Sequence, residues 1–175
     1  MYIFFIFGEH KINKYKKGDH QKTLSQDDIE FLNFVKENAQ MGTSSIKQLL
    51  EIINNEDFKN MLESQYREYK LISEKANKLI NDNSKGENNK DDIAPFKKAQ
   101  IYLMINAKTL LNKSPDNIAA MLMQGSVMGV IQIIRRLKQY KNKIDQALVD
   151  LGEKLLKIEE TNLLECKKFL GETEN

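Results

Sequence analysis

Apolar residues recur by threes and fours along the chain. Leu32, Val35, Ala39, Gly42, Ile46, Leu49 and Ile53 keep this spacing, which lines one face of a helix and makes a seam for antiparallel neighbours. Ser25, with Asp28 three residues later, reads as an N-cap followed by an acidic third position, so the first helix is expected to open there. Asn54 and Asn55 interrupt the seam, and Asn55 suits the cap of the next helix. A second seam follows at Phe58, Leu62, Gln65, Tyr69, Ile72, Ala76 and Leu79. The short break between the two predicts a helical hairpin.

A second hairpin is expected nearer the C-terminus. Ser114 and Pro115 are an N-cap and a first-position proline, whose missing N–H costs nothing there. The stretch 115–140 contains IAAMLMQGSVMGVIQII, apolar around most of a helical circumference, which predicts a helix buried on several sides. Gly125 and Gly129, four apart, offer a place for another helix to approach closely. Gln124 and Gln132 within the run, and Arg135 and Arg136 closing it, argue against a membrane span. After a turn at Lys141 and Asn142, a last seam runs through Ile144, Leu148, Leu151, Leu155, Ile158, Asn162 and Phe169, with Gly171 ending it.

Between the hairpins, 82–92 (DNSKGENNKDD) is polar and charged, as a solvated loop would be. A shorter helix is expected over 93–111, with Phe96, Ile101, Met104, Ile105 and Leu110 on its apolar face. The pattern therefore predicts an all-α fold: an antiparallel four-helix bundle over 25–171 with an additional short helix in the connection between its halves. Residues 1–24 are expected to be a poorly ordered N-terminal extension. Its apolar run (YIFFIF) comes before the lysines rather than after them, the reverse of a signal peptide, and is too short to cross a bilayer.

Composition narrows the function classes. With 175 residues, 41% hydrophobic and 30% charged, the chain is long enough for one domain with a substantial core. A net charge of +2, with the two signs interspersed, gives no electrostatic footprint for nucleic acid. A lone cysteine, Cys166, excludes an internal disulfide and every multi-cysteine metal site, and suits a reducing cytoplasm. Cys166 reads as a small core residue. Met104, Met121, Met123 and Met128 read as adaptable core filling rather than soft-metal ligands. The cations at 135–143 read as a solvated helix end. No phosphate loop and no Ser/His/Asp or Cys/His set is present to support nucleophilic catalysis.

Polar residues on or beside the seams remain: Gln40, Gln65, Glu68, Gln124, Glu159 and Asn162. Glu159 and Asn162, and Gln65 and Glu68, sit three apart, on one helix face. Di-iron carboxylate bundles take one Glu from each of two helices and Glu-x-x-His from each of the other two. The depth of these residues echoes that layout, but His10 and His20, the two histidines, lie in the N-terminal extension. Two readings follow. Gln65, Gln124 and Asn162 form a buried amide network that fixes register. Alternatively, Glu159 and Glu68, with Glu37, form an altered iron or manganese site, in which Gln65, Gln124 and Glu159 converge. A third and weaker idea is a small apolar ligand held between helices 115–140 and 93–111.

Three segments carry a family resemblance: LNFVKENAQMG from Leu32, YLMIN from Tyr102, and SPDNIAAMLMQGSVMG from Ser114. The stretch 32–170 resembles the ferritin-like helical-bundle proteins of low-GC Gram-positive bacteria, an uncharacterised group whose better-known relatives serve in stress responses or the spore coat. The resemblance implies a ferritin-like bundle with one long connection. It places the family's ligand positions near Gln40, Gln65 or Glu68, Gln124, and Glu159 with Asn162, where the histidines are missing. The expectation is a non-catalytic bundle with no cofactor, cytoplasmic or spore-associated, that self-associates or binds a protein partner. The alternative is a metal-binding oxidoreductase or metal-storage protein.

Overall fold

The computed structural model describes residues 23–83 and 113–171. Four α-helices form among them: α1 (Gln26–Leu50), α2 (Glu56–Asn83), α3 (Pro115–Tyr140) and α4 (Gln146–Cys166). A 3₁₀ turn, Lys167–Phe169, follows α4. The described part is all-helical, packed as a four-helix bundle. The helix expected over 93–111, the loop 82–92 beyond Asn83 and the extension up to residue 22 lie outside the described residues.

Local chemistry fixes where the helices begin. The Asp28 backbone N–H donates to Ser25 Oγ (3.1 Å), and the Ser25 N–H donates to Asp28 Oδ2 (2.8 Å), a reciprocal cap that satisfies two donors at the start of α1. Asn55 Oδ1 accepts from the Phe58 N–H at 2.9 Å, capping α2. Ser114 caps α3, with Pro115 in its first turn. Helix α4 starts later than the seam suggested: Asp145 is its cap, accepting from the Ala147 N–H at 3.0 Å. Three seam residues lie outside the helices they were assigned to, Ile144 falling just before the α4 cap. Ile53 is buried in the loop after α1, and Phe169 is buried in the 3₁₀ turn. Leu170 is extended and Gly171 has φ +82°, a left-handed conformation that glycine adopts without strain.

Contacts at the helix ends give the directions. The Asp145 N–H reaches Asp28 Oδ1 (3.3 Å), and the Tyr140 hydroxyl donates to Glu30 Oε2 (2.7 Å), so α4 begins and α3 ends beside the start of α1. At the other end Phe58 stacks on Phe169 with ring centroids 4.3 Å apart, and the Gly171 N–H donates to Asp116 Oδ1 (2.7 Å). Thus α1 and α4 run one way, and α2 and α3 the other. Asn83 and Lys113 consequently sit at opposite ends of the bundle, about 40 Å apart for helices of this length.

The core runs the length of the bundle. Phe31, Leu32, Val35, Ile46 and Leu49 from α1 meet Phe58, Leu62 and Ala76 from α2 and Leu151 and Leu155 from α4. Helix α4 touches all three other helices. Close packing needs small residues at two crossings: a Cβ on Gly42 would fall 2.8 Å from the Tyr69 ring, and one on Gly152 would fall 2.6 Å from the Phe31 ring.

Helix α3 differs from expectation. Its inner face is buried at Pro115, Ile118, Ala119, Ser126, Ile133 and Tyr140, yet Val127, Met128, Ile131 and Ile134 are 45%, 59%, 43% and 36% exposed. It is not buried on several sides. The reason is position: α3 packs on α4 and lightly on α1, leaving its far side uncovered by the described helices. Among the described residues it is the one helix long and apolar enough to cross a membrane, by length and composition alone.

Candidate functional site

Helices α2 and α4 run antiparallel, and their register brings polar residues together in two neighbouring layers. In the first, Asn162 Nδ2 on α4 donates to the Tyr69 hydroxyl oxygen on α2 at 2.7 Å. The Glu159 carboxyl lies beside the Tyr69 hydroxyl and the Ser126 hydroxyl of α3, near enough for each to act on its electrostatics. Glu159, Asn162, Tyr69 and Ser126 are all buried. Gly129 closes the cluster from α3: a Cβ there would lie 2.9 Å from Glu159 Cδ and Oε1. One carboxylate thus sits under a bare patch of backbone, beside a phenol and an alcohol, with an amide behind the phenol.

Burial sets the electrostatics. Desolvation pushes the Glu159 carboxyl above its ordinary range, and the neighbouring Ser126 and Tyr69 hydroxyls oppose it. The Tyr69 phenol is pushed well above its usual value, first by burial and then by the neighbouring carboxylate. Both groups therefore resist ionisation.

The second layer lies one turn away. Gln65 is buried on α2, and its Nε2 donates to Met61 Sδ at 3.2 Å. Gln65 also lies beside the Cys166 thiol. Burial drives that thiol up to about 11, so it is a poor nucleophile at neutral pH. Among the described residues no buried side-chain nitrogen or oxygen lacks a partner.

The six residues singled out from the sequence divide accordingly. Glu159 and Asn162 belong to one cluster and Gln65 to the adjoining layer. Gln40 is half-buried on α1, while Glu68 and Gln124 are exposed. The expected burial of the last two is corrected by helix geometry. Glu68 is one step from inward-facing Tyr69 and Gln124 two steps from inward-facing Ser126, rotations of roughly 100° and 200° about their helices. Gln124 therefore does not converge with Gln65 and Glu159, and the Glu/Gln/Asn site that required this is not formed. Glu37 lies elsewhere again, in a groove of about 490 Å³ between α1 and α3 that Phe34, Asn38, Arg135 and Arg136 help to line.

Two members of the cluster escaped sequence reasoning. Tyr69 was read as a seam apolar, although a phenol on a buried seam must find a hydrogen-bond partner. Ser126 was hidden in the most apolar run, three residues before Gly129. Sequence position held the signal for both.

The donors around Glu159 are a phenol, an alcohol and a carboxamide, all uncharged. Among the described residues no three His, Cys, Asp or Glu side chains converge. Iron and manganese bundle sites need several carboxylates and imidazoles to balance their charge, and this donor set does not fit them. No family model matches the chain, and neither a curated protein nor a solved structure matches it.

Proposed function

We propose that this chain is a non-catalytic, ferritin-like helical bundle whose ligand positions have become core architecture, and that it works by protein association. The observation that carries the reading is Glu159. Where a metal bundle would set a ligand, this carboxyl is buried beside the Tyr69 and Ser126 hydroxyls, and desolvation holds it above its ordinary range. The helix directions also support the ferritin-like reading, because α2 and α3 run the same way and require a connection spanning the bundle's length. The three segments that resemble the low-GC Gram-positive bundle proteins favour a stress- or spore-related setting in the cytoplasm or a spore layer. The exposed apolar side of α3 supplies a surface for association.

The test is elemental analysis of untagged protein before and after anaerobic ferrous iron. Only trace metal surviving desalting is expected. One or two metals per chain retained through desalting would overturn the reading in favour of an oxidoreductase or metal-storage protein.

A further inference from the structure

The outer side of α3 is a surface without a described partner, and its residues say what fits it. Val127, Met128, Ile131 and Ile134 are 45%, 59%, 43% and 36% exposed on one helix. Val127, Ile131 and Ile134 recur at four and three, so they form a stripe that a second helix fills. Val127 and Ile131 lie at equal heights either side of the level of Gly129, which itself faces Glu159 in the core. A reversed second copy centred at that level sets Val127 against Ile131.

Charge fixes the orientation. Asp116, in the first turn, is the one acidic residue in α3. Arg135, Arg136 and Lys138 lie near its other end, with Lys141 and Lys143 in the turn beyond. A parallel pair would stack these cations on one another. An antiparallel pair of outer faces centred at the level of Gly129 sets Asp116 of one copy, whose Oδ1 also accepts from its own Gly171 N–H, beside Lys141 and Lys143 of the other, twice, and opposes the helix dipoles.

We infer that the chain forms a two-fold symmetric dimer through the outer face of α3, with Val127 packed on the second copy's Ile131 and Asp116 facing its Lys141. The inference rests on the association role proposed above and names the partner as a second copy. A strip about 40 Å long and 10 Å wide gives on the order of 400 Å² per copy, half a standard interface, so the dimer dissociates on dilution.

Sedimentation velocity on the full chain across a concentration series tests this. The expected result is a reversible monomer–dimer equilibrium, weakened at least tenfold by Ile131→Glu with no change in melting temperature, since Ile131 touches solvent in the monomer. Lys141→Glu should also weaken it, and adding Asp116→Lys should restore most of the loss, as only an antiparallel pairing allows. A chain that stays monomeric at all concentrations would overturn the inference. Slow maleimide labelling of Met128→Cys in that monomer would assign the face to the chain's own remaining residues. Binding of the monomer to anionic vesicles would assign it to a lipid surface. Either outcome leaves the metal test above standing on its own.

Discussion

Asn162 donates to Tyr69 across the α2–α4 interface at 2.7 Å, and this one bond ties the two hairpins together at the centre of the core. The Tyr69 hydroxyl also lies beside the buried Glu159 carboxyl. Removing the phenol oxygen leaves the Asn162 amide short of a partner. Tyr69→Phe should therefore cost about 1–3 kcal/mol. Asn162→Leu should cost a similar amount, and the double variant less than the sum of the two, because the second change removes a group already orphaned. Urea denaturation of the four species closes the cycle; strict additivity would mean the bond carries no coupling.

The raised carboxyl of Glu159 makes a prediction about pH. Its folded pKa lies above the ordinary 4.5 because burial disfavours the charged form. Between the unfolded and folded values the folded state holds the proton while the unfolded state has lost it. Stability from this group is therefore full at low pH, falls as pH rises past about 4.5, and levels off above the folded pKa. Glu159→Gln keeps an acceptor oxygen for Ser126 and Tyr69 and removes the titration. Its stability relative to the parent should rise as pH is raised from 4 to 7, followed by thermal melts in matched buffers. A flat difference would place the ionised carboxylate at no disadvantage in the core.

The two glycines of α3 should respond in opposite directions. Gly129→Ala drives a methyl to within 2.9 Å of the Glu159 carboxyl, which is buried between α2, α3 and α4 with little room to move, and should destabilise by about 1–3 kcal/mol. Gly125 meets nothing within 4 Å, so Gly125→Ala should instead stabilise by roughly 0.5–1 kcal/mol through helix propensity. Paired melting curves decide it, and equal effects would mean that Glu159 swings aside freely.

Cys166 should be inert in the native protein. It is buried, and its thiol is raised to about 11, so little thiolate exists at pH 8. Labelling by a thiol-reactive chromophore should be at least a hundredfold slower than in 6 M guanidinium. Its rate should follow opening of the bundle and should slow with every stabilising variant above. Fast native labelling would show that the end of α4 frays.

Three helices were legible because their apolar residues mark a single face. Leu32, Val35, Ala39 and Ile46 on α1, Phe58 to Ala76 on α2, and Leu148 to Ile158 on α4 are buried where the spacing put them, while Gly42 is half-buried. Helix α3 was different: when nearly every side is apolar, periodicity names no inside, and only the packing against α4 separated Ile133 from Ile131. The polar cluster was half legible for a related reason. Spacing within one helix linked Glu159 to Asn162 correctly. It also paired Gln65 with Glu68, three apart, whereas the inward partner was Tyr69, four apart. Ser126 joins from another helix altogether, a relation that no single-helix spacing contains.

The central place of α4 bears on how the protein is made. The α1–α2 hairpin closes on itself early, from contacts local in sequence, but α3 has most of its packing against α4. A ribosome must therefore release α4, translated after α3, before α3 has its main packing surface among the described helices. Until then the apolar flanks of α3 are open on both sides, and this is the interval in which a chaperone, or a second nascent chain, has its chance to bind.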